Sequence, residues 1–419
     1  MGSYWLVIPL VLFIGSLILH QVPLLLVALL LFLTGAVAKL WGRYCLSRVE
    51  YNRRLSASRV FWGEEVQLEV EVANRKLLPL FWLQIDDEIP DKVTLPKGKT
   101  SPTGNPNRSM LTSFLSLGWY HKVTRRYPMK CLQRGHFTFG PAQVSSGDLF
   151  GFNKRRMGVP GVNHLIVYPR ILPLEKLGIP AKQPFGDIRL EKHLYQDPVL
   201  TSGVRDYHYG DSLKQIHWKT TARRGRLQTK IFEPTTTIDI GIFLDVRTVK
   251  PPLWGSVPQL LELGIITAAS VSNYALTKGY RVGLHVNQNR WTDKASAIKL
   301  LPSRHASQQM RIMETLAQLH EVENIPIAQL VLKESRNLPE GSTILVVSAV
   351  TSDTLMSSLI RIKRSGRRVV LIQIGSSRPA VSHDGLIVYR VPDEVMWNEL
   401  QTLAIDTTAN KSNLPATMP

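Results

Sequence analysis

Residues 238–244 read Ile-Asp-Ile-Gly-Ile-Phe-Leu, a short, nearly continuous apolar run that ends on Asp245. A run of this length is a strand buried on both faces, since a half-buried strand would alternate polar and apolar residues. Similar runs follow at Arg281–Val286, Thr343–Val347 and Val369–Ile374, with helical patterns between them at Val257–Thr277, Ser303–His320 and Thr354–Ser365. Gly279 and Gly366 fall just after two of these helices, where a left-handed cap is needed. Strands alternating with helices predict a parallel sheet covered on both faces, an α/β domain spanning 238–405. Ligands of such sheets gather at the carboxyl ends of the strands, which here carry Asp245, Ser348 and Asp353. Residues 406–419 read as a frayed tail.

Upstream, residues 46–170 carry the period-two pattern of half-buried strands. Val66, Leu68, Val70 and Val72 alternate with polar residues, Phe81, Leu83 and Ile85 repeat the pattern, and Phe137 and Phe139 share one side of 136–144. Several short strands with turn residues between them predict an all-β, sandwich-like domain. Leu95–Ser109, rich in Pro, Gly, Ser, Thr and Asn, reads as an exposed loop.

The first 38 residues contain no Asp, Glu, Lys or Arg. As one helix, Tyr4–Ala38 would be about 50 Å long, against a hydrocarbon core of about 30 Å. His20 and Gln21, followed by Pro23, break the run. The expectation is therefore a transmembrane helical hairpin within 1–45, with spans near Tyr4–Leu19 and Val22–Ala38. Lys39, Arg43, Arg48, Arg53 and Arg54 follow the second span, which puts both ends in the cytoplasm by the positive-inside rule. Tyr4, Trp5, Trp41 and Tyr44 fit an interfacial aromatic belt. A cleaved signal peptide, with Ala36-Val37-Ala38 as its site, lacks a basic n-region and has too long an apolar stretch. The soluble domains are thus expected on the cytoplasmic side of the membrane.

The 51 Lys+Arg against 32 Asp+Glu give a net charge of +19. That excess is spread along the chain, which suits a face opposed to anionic membrane lipid better than a nucleic-acid stripe. With only Cys45 and Cys131, no Cys-based zinc site or disulfide framework is expected.

Residues 171–237 join the two domains and contain Val204–Phe232, VRDYHYGDSLKQIHWKTTARRGRLQTKIF. Ser212 and Gln215 have capping-box spacing, so Ser212 is expected to cap a short helix with Leu213 and Ile216 on its buried side. Leu227–Phe232 reads as a strand that could pair antiparallel with 238–244. Asp206 and Asp211 have Arg205, Arg223, Arg224 and Arg226 in reach, so Arg–carboxylate pairs would lock the segment. His208 and His217 could act as acid and base, using Asp206 and Asp211. No nucleophile elbow or metal spacing accompanies them. Arg223, Arg224, Arg226 and Lys230 beside Tyr207, Tyr209 and Trp218 could bind nucleic acid, but interspersed carboxylates oppose it. The favoured reading is a locked junction that doubles as a docking surface, with no catalytic residue assigned.

Arg205, Asp206, Tyr207, Gly210, Asp211, Lys214, Ile216, Trp218, Thr221, Ala222 and Arg223 occupy the positions of the pattern R-[ED]-Y-x-x-G-D-x-x-[RK]-x-I-x-W-x-x-[ST]-A-R. On these residues the chain resembles the domain of unknown function 58 (DUF58) family. Arg134-Gly135-His136-Phe137 and Gly147-Asp148-Leu149-Phe150-Gly151 are similar to that family's upstream stretches. The resemblance implies a membrane-anchored protein with a von Willebrand factor A-like (Rossmann-like) α/β domain. It also implies a MoxR-type AAA+ ATPase as partner and, in some members, a transglutaminase-like membrane protein. It implies no reaction. His217 and Lys219 join the motif residues as interaction candidates.

Von Willebrand A-like domains often hold Mg²⁺ with a D-x-S-x-S string. Here that string is Asp245-Val246-Arg247-Thr248-Val249, so one carboxylate remains and both serines are gone. No cofactor is expected. Asp245 would be at most a degenerate Mg²⁺ site, and the expectation is that it pairs with a basic side chain instead.

Overall fold

The computed structural model describes residues 7–19, 22–93, 99–105, 107–149, 153–180, 184–185, 196–209, 211–234, 238–249, 255–290, 293–375 and 386–394. Tyr4, Trp5, His20, Gln21, Phe150, Gly151, Gly210 and the tail 406–419 lie outside them. The chain forms two compact units, residues 1–170 with 314–318, and residues 171–313 with 319–419.

Two helices, α1 (Val7–Leu19) and α2 (Val22–Tyr44), begin the first unit. At 1.5 Å per residue, α2 is about 34 Å long, and its residues 22–38 are apolar on all sides, with Leu26, Leu30 and Leu33 exposed. It is long and apolar enough to cross a membrane. The 13 described residues of α1 extend only about 20 Å, so the structure supplies one candidate span here where two were expected. A second helix passing the same length test, Pro258–Thr277, is mostly buried. It is a core helix.

Helix α2 runs six residues past the expected end of the span and is fixed to the β strands at its carboxyl end. Trp41 stacks on Phe81, ring centroids 5.0 Å apart. A Cβ on Gly42 would lie 2.6 Å from that of Asn153, so glycine permits the close approach. Lys76 Nζ donates to the Cys45 carbonyl at 2.7 Å.

The strands of this unit are β1 (Val49–Leu55), β2 (Arg59–Val60), β3 (Glu65–Asn74), β4 (Leu80–Pro90), β5 (Lys99–Pro102), β6 (Arg108–Leu117), β7 (Lys122–Lys130), β8 (Gly135–Phe139), β9 (Ala142–Gly147), β10 (Lys154–Val159) and β11 (Asn163–Val167). They form sheets ordered β1-β3-β7, β10-β9-β4-β6-β5 and β2-β11-β8. Val66, Leu68, Val70 and Val72 of β3 join Leu83 and Ile85 of β4, Phe137 and Phe139 in one core. The alternation in β4 starts differently from the expectation. An irregularity between Leu80 and Leu83 shifts the register, so Leu80 is buried and Phe81 is exposed. Part of the expected 95–109 loop is paired strand, since β5 runs beside β6.

The second unit contains β12 (Gln196–Asp206), α3 (Trp218–Arg224), β13 (Gln228–Pro234), β14 (Asp239–Leu244), α4 (Pro258–Thr277), β15 (Arg281–Arg290), β16 (Asp293–Ser303), α5 (Ala306–Ala317, of which 314–317 count with the first unit), α6 (Ile327–Ser335), β17 (Thr343–Ser348), α7 (Asp353–Arg364), β18 (Arg368–Ile374) and β19 (Ile387–Val391). Its main sheet is ordered β16-β15-β14-β17-β18-β19, with every pairing parallel except β15–β16. All six residues of β14 and of β17 are buried, as apolar runs with helices on both faces require. Gly279 and Gly366 take φ of 80° and 85° after α4 and α7. The chain leaves β14 for β15 on one side and returns to β17 on the other. The crevice between β14 and β17 is therefore the topological switch point.

Candidate functional site

The motif is an excursion between two paired strands. β12 and β13 run antiparallel, with Arg205 opposite Thr229 and Asp206 opposite Gln228. Strand β13 thus pairs with β12 and not with β14, which is flanked by β15 and β17. Between the strands lie a 3-10 turn at Leu213–Gln215 and the two-turn helix α3, closed by Gly225 at φ 67°.

Asp211 is the hub. It accepts from Arg205 Nη2 at 2.8 Å, from the His208 backbone N–H at 3.0 Å and from Thr229 Oγ1 at 3.3 Å. These donors, Arg205 first, hold its carboxyl below the usual carboxylate range. Thr221 Oγ1 donates to the His217 carbonyl at 3.1 Å and accepts from the Gln228 N–H at 3.1 Å. Gln228 Nε2 donates to Asp206 Oδ1, and Arg224 reaches Gln228 Oε1 at 3.4 Å. Gln228 and Thr229 are buried. Neither belongs to the sequence pattern, and only their place in a predicted strand hinted at them.

His217 caps α3. Its Nδ1 accepts from the Thr220 N–H at 3.1 Å, with Thr220 Oγ1 2.9 Å away. The His217 backbone N–H donates to the Gln228 carbonyl at 2.8 Å. His217 is thereby a structural cap, and His208 is exposed.

Other expectations need revision. Ser212 precedes the 3-10 turn but makes no side-chain cap bond, and Leu213 is exposed while Ile216 is buried. Of the expected Arg–carboxylate pairs, Arg205–Asp211 is the one present among the described residues.

Apart from buried Ile216, this network leaves large apolar side chains outside. Tyr209 is fully exposed, and Leu213 and Trp218 are each 67% exposed. Lys214, Lys219 and Arg223 are exposed around them, and Tyr207 is half-buried. Large apolar groups held out among cations are what a protein-binding face presents.

The switch point holds a second polar group. Asp245 is buried and accepts from Ser348 Oγ at 2.7 Å, Asn287 Nδ2 at 2.8 Å and the Arg247 N–H at 3.0 Å. Burial pushes its carboxyl up to about 6, against the lowering effect of those donors. The expected basic partner is elsewhere, because Arg247 Nη1 pairs with Glu323 at 2.7 Å. Thr248 Oγ1 accepts from the Val257 N–H at 2.7 Å. Both Asp245 oxygens face N–H or O–H donors where a cation would need lone pairs. No group of three or more His, Cys, Asp or Glu suited to a metal occurs among the described residues. This donor set does not fit Mg²⁺.

Residues 203–403 match the family described as "Protein of unknown function DUF58". The chain is 24% identical over 218 residues to the uncharacterized protein YeaD of Bacillus subtilis (strain 168), a match covering 50% of each chain. The chain thus spans about half the length of the curated relative it matches. Among solved structures, it is similar to the CARDB domain of a Pyrococcus furiosus protein, at 15% identity and TM-score 0.18, over 28% of this chain and 89% of that one. It is also similar to a cohesin module of a Clostridium perfringens family 33 glycoside hydrolase, at 10% identity and TM-score 0.20, over 28% and 96%. Likenesses this slight carry no functional argument.

Proposed function

We propose that this chain is a DUF58-family adaptor, anchored in a bacterial inner membrane, whose motif binds a MoxR-type AAA+ ATPase on the cytoplasmic side. The observation that carries this reading is the exposed Tyr209, Leu213 and Trp218 among Lys214, Lys219 and Arg223, on a scaffold that consumes its own Asp206, Asp211 and His217 internally. Side chains that satisfy one another are poor acids and bases but rigid supports. A rigid, aromatic, cationic face lowers the entropy lost on binding an acidic partner surface.

The all-round apolar surface of α2 supports the anchor. Lys39 and Arg43 in its last two turns, and Arg48 just beyond it, support the cytoplasmic orientation. Arg53 drops out of that count because it is buried against Asp87. The switch-point position of Asp245 in a parallel sheet supports a von Willebrand A-like reading of the second unit. A transglutaminase-like membrane protein is a further partner implied by the resemblance.

Flotation tests the proposal. Vesicles carrying the full chain are expected to lift a purified MoxR-type ATPase to the top of a density gradient. Vesicles carrying Trp218→Ala with Lys219→Glu should leave it at the bottom. Equal flotation with both chains, or none with either, would refute the adaptor reading.

A further inference from the structure

One end of the β unit gathers exposed aromatic and aliphatic side chains where α2 enters it. Trp119 and Tyr120, 68% and 66% exposed, form the tip between β6 and β7, and Leu77 projects from the β3–β4 loop. Phe81, also exposed, stacks on Trp41 of α2. Such large groups are costly to hold in water and together form a patch.

Hydrogen bonds tie this tip to the helix end. The Tyr120 N–H donates to the Lys76 carbonyl at 3.3 Å, and Lys76 Nζ donates to the carbonyl of Cys45, the first residue after α2. The Arg75 N–H donates to the Arg48 carbonyl at 3.0 Å. Asn74 Nδ2 bridges the Leu78 and Gly118 carbonyls at 3.0 and 2.8 Å. Tyr120 sits at φ 48°, a left-handed conformation uncommon for a bulky residue, so the turn is held against a local backbone preference.

The position of this end relative to a bilayer follows from helix geometry. About 20 residues cross the hydrocarbon core, which from Val22 reaches Trp41. Cys45 then lies about 6 Å further along the axis, within a headgroup layer roughly 5–8 Å thick. Groups bonded to Cys45 and Arg48 sit at that same level. Trp and Tyr favour that layer, and exposed Arg43 and Arg48 suit anionic headgroups.

The geometry points to a second membrane contact. The Trp119–Tyr120 tip and Leu77 enter the interface of an anionic phospholipid bilayer and hold the β unit against it. This rests on the reading of α2 as a membrane span.

The test places the full chain in nanodiscs of phosphatidylglycerol and phosphatidylethanolamine in equal parts, with spin labels at single introduced cysteines. Cys45 and Cys131 are buried and leave those sites to be labelled selectively. Gly118→Cys reports on the tip with Trp119 and Tyr120 intact, since a Cβ there meets only the His121 Cβ at 3.9 Å. Lys130→Cys, at the far end of β7 and about 26 Å along the strand from Lys122, reports on the opposite end. Leu30→Cys reports on α2. The expected result is contact with dissolved oxygen over a water-soluble nickel complex at 118 and 30, and the reverse order at 130. Adding Trp119→Ala and Tyr120→Ala should return the 118 label to water. A 118 label as water-exposed as 130, with 30 in lipid, would overturn the contact and leave the anchor standing. A water-exposed label at 30 would overturn the anchor itself.

Discussion

Asp87→Ala is expected to destabilise the β unit by about 3–5 kcal/mol, because it strands a buried guanidinium. Arg53 and Asp87 form an ion pair whose side chains are 3% and 1% exposed. Tyr51 Oη donates to the other Asp87 oxygen at 2.7 Å, and Arg53 Nε donates to Asn163 Oδ1 at 2.9 Å. Arg53 also reaches the Gly161 carbonyl. The pair therefore joins β1, β4 and the approach to β11. Removing the carboxylate leaves Arg53 charged, desolvated and short of its main partner. The measurement is the rate at which a thiol reagent modifies buried Cys131 under native conditions. Acceleration by roughly two to three and a half orders of magnitude corresponds to that loss. An unchanged rate would show that the unit relaxes around the vacancy or opens elsewhere first.

Asp245→Asn is expected to stabilise the second unit at pH 8. The buried carboxyl has its pKa raised from 3.8 to about 6, so keeping it ionised above pH 6 opposes folding by about 3 kcal/mol at most. The sign follows from proton binding. Between the unfolded value near 3.8 and the native value near 6, the native state holds the extra proton. The stabilisation is fully present below that window and is lost as pH rises through 6. Asparagine suits the same neighbours. Its oxygen would accept from Asn287 and Arg247, and its amide would donate to Ser348 Oγ, whose hydroxyl proton can turn to the Val350 carbonyl 2.9 Å away. Hydrogen exchange of β14 and β17 amides is the readout. Slower exchange at pH 8 and a flatter pH profile are expected for the variant. Faster exchange at pH 8 would mean that the charge is needed, as it would be for a cation ligand.

The parallel sheet was legible because its strands are apolar on both faces and its helices end on glycine. β14, β15, β17 and β18 lie where the runs at 238, 281, 343 and 369 predict them. β16 (Asp293–Ser303) lies in the stretch between the predicted strand at 281–286 and the predicted helix at 303–320, where no element was expected. An antiparallel edge strand carries no strong apolar signal, and α5 begins only at Ala306. In the β unit, the alternation of β3 survived intact, while the irregularity in β4 moved Phe81 outward. A local register shift depends on tertiary pairing and leaves no mark in a period-two pattern.

The motif was legible as a dense polar segment, but its wiring was not. Sequence spacing suggested Ser212 as a cap and several arginines as carboxylate partners. The fold instead uses His217 as the cap of α3 and gives Asp211 one arginine, one backbone N–H and Thr229. Gln228 and Thr229 take part because β13 folds back beside β12, a pairing set more than twenty residues apart in the chain. Asp245 shows the same limit. Arg247 lies two residues away in sequence, yet its guanidinium turns to Glu323.

The most direct test of the central claim is a binding titration of the full chain in nanodiscs with a purified MoxR-type ATPase. Trp218→Ala with Lys219→Glu is expected to weaken binding at least about tenfold, as loss of an exposed aromatic anchor does, while hydrogen exchange across 205–229 stays as in the wild type. Equal affinities for the two chains, with that segment still protected, would contradict the claim that the motif is a docking face.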